Sequence, residues 1–282
     1  MLEATYVGVA GDWHGNTAHA LKTLELFAKN QVRYIFQLGD FGVFGSLLEH
    51  SADKFRTRIA RRLEANDQWL FVTLGNHENY DLVERFSTVD DGEFAGFSYE
   101  PKASRILYFK RGQSLTISGR NFLSIGGAAS IDYRWRQEWN SSPKAHTKVW
   151  WPQERISVLD VESTIAEAQR LGSVDVLLAH DVFADAPIGS SHRADHSRWN
   201  ADEFAFAQTS RNALQKVAEA VFPQLWLHGH YHVPLDSTVP LQISRGKQAK
   251  TGEVRVVCFA KDESKNSSGV LWLDELETEY LN

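Results

Sequence analysis

Tyr6-Val7-Gly8-Val9-Ala10-Gly11-Asp12-Trp13-His14, Tyr34-Ile35-Phe36-Gln37-Leu38-Gly39-Asp40 and Trp69-Leu70-Phe71-Val72-Thr73-Leu74-Gly75-Asn76-His77-Glu78 occupy the first third of the chain. Each is a short apolar run that ends in glycine and then in side chains able to bind a metal. Continuous apolar runs of this length read as strands buried on both faces, as in a parallel sheet. Between them, Leu21, Leu24 and Phe27, with Thr17 as the expected cap, and then Phe55, Ile59 and Leu63, recur at helical spacing. The reading is a βαβαβ unit with crossover helices. Two later runs end the same way: Val174 to Ala179 before His180, and Leu225-Trp226-Leu227-His228 before Gly229-His230-Tyr231-His232.

From about Ser104 the spacing shortens. Ile106 to Phe109, Ser114 to Ile117 and Asn121 to Ile125 read as antiparallel strands separated by Arg111-Gly112 and Gly119-Arg120 turns. Helices with Ile165, Ala168 and Leu171, and with Leu214, Val217 and Val221, lead into the fourth and fifth ligand-bearing strands. Strands return at Val254–Phe259 and Val270–Leu273. The expected fold is α/β (α+β): a four-layer αββα sandwich of two mixed β-sheets, packed face to face and flanked by helices. A single domain over residues 1–282 is expected, with loop insertions at about 128–152, which holds four tryptophans, and 184–200.

A chain of 282 residues, 43% of them hydrophobic, can bury a full core. Its formal charge of -6 argues against extended nucleic acid as a partner, because that grip needs many Lys and Arg to displace counterions. The single cysteine, Cys258, can form no internal disulfide, and the first residues carry no basic segment followed by a long apolar stretch. A cytoplasmic protein with no membrane association is expected. Asn140-Ser141-Ser142 and Asn266-Ser267-Ser268 match glycosylation sequons, which have no consequence in that compartment.

Carboxylates, imidazoles and an amide, with no thiolate, suit divalent ions such as Mn²⁺, Fe, Zn²⁺ or Ni²⁺. Placed at the carboxyl ends of neighbouring strands, they converge on one crevice. The ordered blocks Asp12-x-His14, Gly39-Asp40, Gly75-Asn76-His77-Glu78, His180 and Gly229-His230-x-His232 resemble those of the calcineurin-like metallophosphoesterase superfamily. The resemblance implies that Asp12, His14 and His232 hold one ion, that Asn76, His180 and His230 hold the other, and that Asp40 bridges them. Two ions roughly 3.5–4 Å apart would activate a bridging hydroxide for in-line attack on phosphorus. Mn²⁺ is the first expectation for both. It further implies that His77 is the catalytic residue that contacts the phosphate and protonates the leaving oxygen. Glu78 is expected to start the following helix with Asn79 and Asp81, and His228 to be a strand side chain on the far face.

Gly126-Gly127-Ala128-Ala129-Ser130-Ile131-Asp132, then Arg136, then Trp150-Trp151-Pro152-Gln153-Glu154, resemble a subgroup of bacterial and phage metallophosphoesterases. The chain departs from that subgroup at Tyr133, where lysine is expected, and in a longer interval before Trp150. Arg136 is the one rim residue expected to face substrate. Arg134, Arg193 and Arg198 are read as solvated loop charge, and Trp13, Trp135, Trp139, Trp150, Trp151 and Trp199 as wedges holding long loops to the body.

The functional expectation is therefore a metal-dependent phosphoric ester hydrolase, a phosphodiesterase acting on a small nucleotide-like ester. A phosphomonoesterase of the phosphoprotein phosphatase type is the alternative. It is disfavoured because Asp40 is followed by Phe41-Gly42-Val43-Phe44-Gly45, without the Asp-Arg-Gly of those enzymes, and position 80 is Tyr in place of their arginine, so two arginines that clamp a monoester dianion are absent. A non-catalytic binding module on the same fold is the third reading. It sits poorly with a complete ligand set and a retained His77.

Overall fold

The computed structural model describes residues 2–43, 46–188, 199–245 and 248–281, without the side chains of 46–52 and 243–250. The strands are β1 (Tyr6–Ala10), β2 (Tyr34–Gln37), β3 (Trp69–Val72), β4 (Ser87–Thr88), β5 (Ser98–Tyr99), β6 (Ile106–Tyr108) and β7 (Gln113–Ile117). They continue as β8 (Arg120–Ile125), β9 (Val176–Ala179), β10 (Leu225–His228), β11 (Leu235–Arg245), β12 (Gln248–Cys258), β13 (Ser268–Trp272) and β14 (Glu277–Tyr280). The helices are α1 (Thr17–Lys29), α2 (Ser46–Ala65), α3 (Tyr80–Val83), α4 (Tyr133–Ser141), α5 (Val158–Leu171) and α6 (Ala201–Val221).

Among the described residues the strands form an eight-stranded sheet, ordered β14-β13-β1-β2-β3-β6-β5-β4, and a six-stranded sheet, ordered β11-β12-β10-β9-β8-β7. Both are mixed. β1, β2, β3 and β6 run parallel in the first, and β8, β9, β10 and β12 run parallel in the second. Side chains alternate across each strand, so one strand feeds two cores. Phe36, Leu38, Val176, Leu178, Leu225 and Leu227 point between the sheets. Ile35 packs outward among Leu24, Phe27, Phe55, Ile59 and Leu63 of α1 and α2. Leu177 and Trp226 pack outward among Val161 of α5 and Leu214 and Val217 of α6. The four layers expected from the sequence are present. Phe36 bridges the sheets, its ring centroid 4.6 Å from that of Phe122.

Several local expectations are corrected. Asn16, not Thr17, caps α1: its side-chain oxygen accepts from the backbone N–H of His19, so the helix begins at Thr17 itself. The strands after Ser104 are not one antiparallel run. β6 runs parallel to β3 in the first sheet, while β7 and β8 pair antiparallel in the second, so the Lys110–Gly112 turn carries the chain from one sheet to the other. Spacing alone cannot show such a crossing. The segment 128–152 is not wholly irregular, since it contains α4. β4, β5, β11 and β14 had no sequence counterpart. The last two pair antiparallel at sheet edges, with alternating exposure along β14 in place of an apolar run.

Candidate metal centre

The carboxyl ends of the two parallel sets meet along one line between the sheets. Asp12 and His14 follow β1, Asp40 follows β2, Asn76 and His77 follow β3, His180 follows β9, and His230 and His232 follow β10. The approach is close. A Cβ at Gly229 would lie 2.1 Å from Asp12 Oδ1, and one at Gly39, where φ is +98°, would lie 2.3 Å from His180 Nδ1. His14, Asp40, His230 and His232 all have positive φ, between 45° and 68°. Left-handed backbone at a non-glycine residue costs about 1–3 kcal/mol and persists only where the surroundings over-determine it. Here four such residues stand at one site.

Ligand atoms of Asp12, His14 and His232 lie within 4.8 Å of one another, as do those of Asp12, Asp40 and His180. Asp40 Oδ2 lies between the groups, 3.5 Å from His14 Nε2 and 3.4 Å from His180 Nε2. Asn76 Oδ1 is 3.0 Å from His180 Nε2, and the His230 ring centroid is 4.9 Å from that of His180. The seven candidate ligands named from the sequence are thus neighbours in space. The imidazoles are held by their outer nitrogens: His180 Nδ1 lies 2.7 Å from the Leu38 carbonyl, which accepts its proton and leaves Nε2 facing Asp40.

Asp12 and Asp40 are almost fully buried. Burial works to raise the Asp40 carboxyl, but the charges of His180 and His77 and hydrogen bonds from His14 and His180 outweigh it and hold the group well below the usual carboxylate range. Burial likewise opposes charge on His14 and His180. Contact with Asp40 and the nearby charge of Asp12 nevertheless push them up to about 9 and about 10. His77 goes the other way, to about 4, because burial and the positive charges of Arg136 and His14 outweigh Asp40. Two buried anions demand positive charge between them, and imidazolium protons or cations can supply it.

Arg136, on α4, is buried, with Nε 2.8 Å from Asp132 Oδ1 and Nη2 2.9 Å from His77 Nε2. A guanidinium can only donate, so His77 Nε2 presents a lone pair to it. Glu78 does not start a helix. Asn79 caps α3, and the buried Glu78 carboxylate accepts from the backbone N–H groups of Phe41 and Gly75, tying the turns after β2 and β3 together. Burial pushes Glu78 up to about 7.

His228 shares the helix-facing side of β10 with Trp226, as expected for a side chain outside the ligand set. It is buried, its Nδ1 lies 3.0 Å from the Gly229 carbonyl, and its Nε2 has no hydrogen-bond partner among the described residues. Arg134 is half-exposed against Asp202, whereas Arg193 and Arg198 lie outside the described residues. Trp13 and Trp151 are buried wedges, but Trp135 is 58% exposed, contrary to a packing role for all six.

Three supporting residues escaped the sequence reading. Asp262 Oδ1 lies 3.3 Å from His14 Nδ1, and its other oxygen accepts from Asn16. The signal was its place just after β12, the same strand-end position that the other ligands share. Ser130 Oγ accepts from Asn76 Nδ2 at 2.9 Å and donates to Glu154 Oε2 at 2.9 Å. Burial pushes Glu154 up to about 7 against the hydrogen bonds it accepts from Ser130.

A family model described as calcineurin-like phosphoesterase matches residues 5–234, which hold every candidate ligand. The chain belongs to the calcineurin-like phosphoesterase family. Members of this family are phosphoester hydrolases that work with two divalent metal ions. Asp262 lies beyond the matched region. Among solved structures, the chain is similar to the protein TT1561 of Thermus thermophilus, with 12% identity, a TM-score of 0.54, and 99% of this chain and 98% of that one covered. That likeness shows the fold. A dimetal phosphatase from Danio rerio is 12% identical over 95% of this chain and 92% of its own, with a TM-score of 0.49. No curated protein sequence matches the chain.

The donor set fits a pair of divalent ions. Among the described residues Asp12 Oδ2 is buried without a hydrogen-bond partner and faces His232 Nε2 at 3.3 Å, as an oxygen reserved for a cation would. Among the described residues, no helix is long and apolar enough to cross a membrane.

Two outcomes follow from this geometry. Asp40→Asn is expected to lower bound metal at both positions together, as read by elemental analysis after Mn²⁺ loading; retention of the parent's metal content would refute a bridging role. His228 titrates at about 3 in the fold, against 6.5 in the unfolded chain, because burial disfavours its charged form. The unfolded chain therefore takes up this proton first, and stability is lost as pH falls from 6.5 towards 3. In urea titrations of metal-free protein, the stability of the parent relative to His228→Gln should fall across that window. A constant difference would contradict the assignment.

Proposed function

We propose that this chain is a two-metal phosphodiesterase that hydrolyses a small, nucleotide-like phosphate ester in the cytoplasm, as one domain over residues 1–282. The feature of the sequence that carries the diester preference is that neither the segment after Asp40 nor position 80 holds the arginine that clamps a monoester dianion. Arg136 reaches His77; Phe44, which stands where the arginine would follow Asp40, lies outside the described residues, and position 80 holds a buried tyrosine. Tyr80 turns its hydroxyl to the Gly75 carbonyl. A monoester dianion would lose charge-assisted hydrogen bonds that a diester monoanion needs less. The net charge of -6 supports a small substrate over a polymer.

In this reading Asp12, His14 and His232 hold one ion, Asn76, His180 and His230 the other, and Asp40 both. Bound there, the ions acidify water and offset the phosphoryl charge. The protein's own residues do the rest. Arg136, aligned by Asp132, takes a phosphoryl oxygen by charge-assisted hydrogen bonding. That draws the guanidinium from His77 Nε2. Free of its cationic neighbour, the imidazole takes up a proton from solvent more readily and donates it to the leaving oxygen.

Protein stripped with chelator and reloaded with Mn²⁺ is expected to hydrolyse bis-p-nitrophenyl phosphate faster than p-nitrophenyl phosphate, and to accept a cyclic nucleotide. His77→Ala should cut turnover on the diester about 10²-fold or more with metal content unchanged. A faster monoester would make it a phosphomonoesterase, and inactivity with every divalent ion would make it a binding module.

A further inference from the structure

The segments Gly126–Asp132 and Trp150–Glu154 stand apart in the sequence, yet they meet beneath Asn76. Arg111 staples them, donating to the carbonyls of Gly126, Gln153 and Glu154 at 2.7, 2.7 and 3.2 Å. Glu154 Oε1 accepts from Ser130 N–H at 2.8 Å and from Trp150 Nε1–H at 3.0 Å, while Oε2 accepts the Ser130 hydroxyl proton at 2.9 Å. Asn76, Ser130 and Glu154 are 3%, 1% and 0% exposed, so water has little access to replace any of these bonds.

A carboxamide has two ends of nearly equal size, of which only the oxygen can bind a cation. Shape therefore cannot choose between them. A serine hydroxyl has one proton, and here Glu154 takes it. Ser130 Oγ is left with lone pairs alone towards Asn76, so it must receive Nδ2–H, and Oδ1 turns to the side of His180.

We propose that Ser130 and Glu154 are positioning residues that set the polarity of the Asn76 amide, aiming its oxygen at the cation shared with His180 and His230. This rests on the metal-centre reading above. It also gives a role to the two motif stretches that ligand counting leaves without one. Glu154→Gln is the sharpest probe because it keeps the shape. With its oxygen held by Ser130 N–H and Trp150 Nε1–H, the new amide NH₂ faces Ser130 Oγ. The hydroxyl proton then turns to Asn76 and calls for Oδ1 in place of Nδ2.

The test is a Mn²⁺ titration of the parent, Ser130→Ala and Glu154→Gln, repeated for all three in an Asn76→Asp background, with free Mn²⁺ read by electron paramagnetic resonance. Each single variant is expected to weaken one of two binding events about 10–100-fold, the range for lost outer partners of a metal ligand, and to leave the other unchanged. A carboxylate has two equivalent oxygens, so the same changes beside Asn76→Asp should cost less than about threefold. Parent-like affinity in both single variants would overturn the inference, as would equal losses in both backgrounds, which would mark a structural role. A parent chain that takes up no Mn²⁺ would overturn the metal-centre reading itself, and this inference with it.

Discussion

The burial of Asp12 and Asp40 where two sheets meet is the constraint on which the rest of this structure depends. Two buried carboxylates are tolerable only if positive charge lies between them. Imidazoles surround the pair, and His14 and His180 are pushed to about 9 and about 10 by it. The same electrostatic demand makes the crevice a receptor for divalent cations. Such ions compete for the positions that protons hold on those imidazoles.

The local backbone follows from that demand. To bring donors from both sheets within reach of one another, the chain must turn within a few residues of the end of each of these strands. Four candidate ligands adopt left-handed backbone, and glycine is required where a side chain would strike Asp12 or His180. The turns are braced in turn: Glu78 receives N–H groups from two of them, and His14 and Trp13 donate to the Asp40 carbonyl at 2.7 and 3.1 Å. The phenylalanines packed between the sheets behind this line give the crevice a rigid floor. Strain at the site is held by the cohesion of the whole sandwich.

The segment 128–152 joins the substrate side to the metal side. Its helix carries Arg136 to His77, and the stretches on either side of the helix end on Asn76 through Ser130 and Glu154. This segment and the residues just after it therefore touch two neighbouring residues of the β3 turn, one facing substrate in our reading and the other a candidate ligand. Trp135, on the same helix, stays largely exposed, while Trp151 anchors the far end of the segment in the core.

The sequence by itself determined the alternation of strands and helices in the first ninety residues, the family, and which residues are candidate ligands. The physical reason is locality: each ligand stands within a few residues of a strand end, and an apolar run is legible without knowing its partner. What joins distant residues was decided only by the tertiary structure. The passage from the first sheet to the second after β6 depends on which edges are free, not on spacing. Asp262 reaches His14 across 248 positions, and Glu154 reaches Ser130 across 24, through hydrogen bonds that leave no periodic trace in the chain. That Arg136 lies buried against His77 while Arg134 pairs with Asp202 was likewise decided by which face of α4 packs inward.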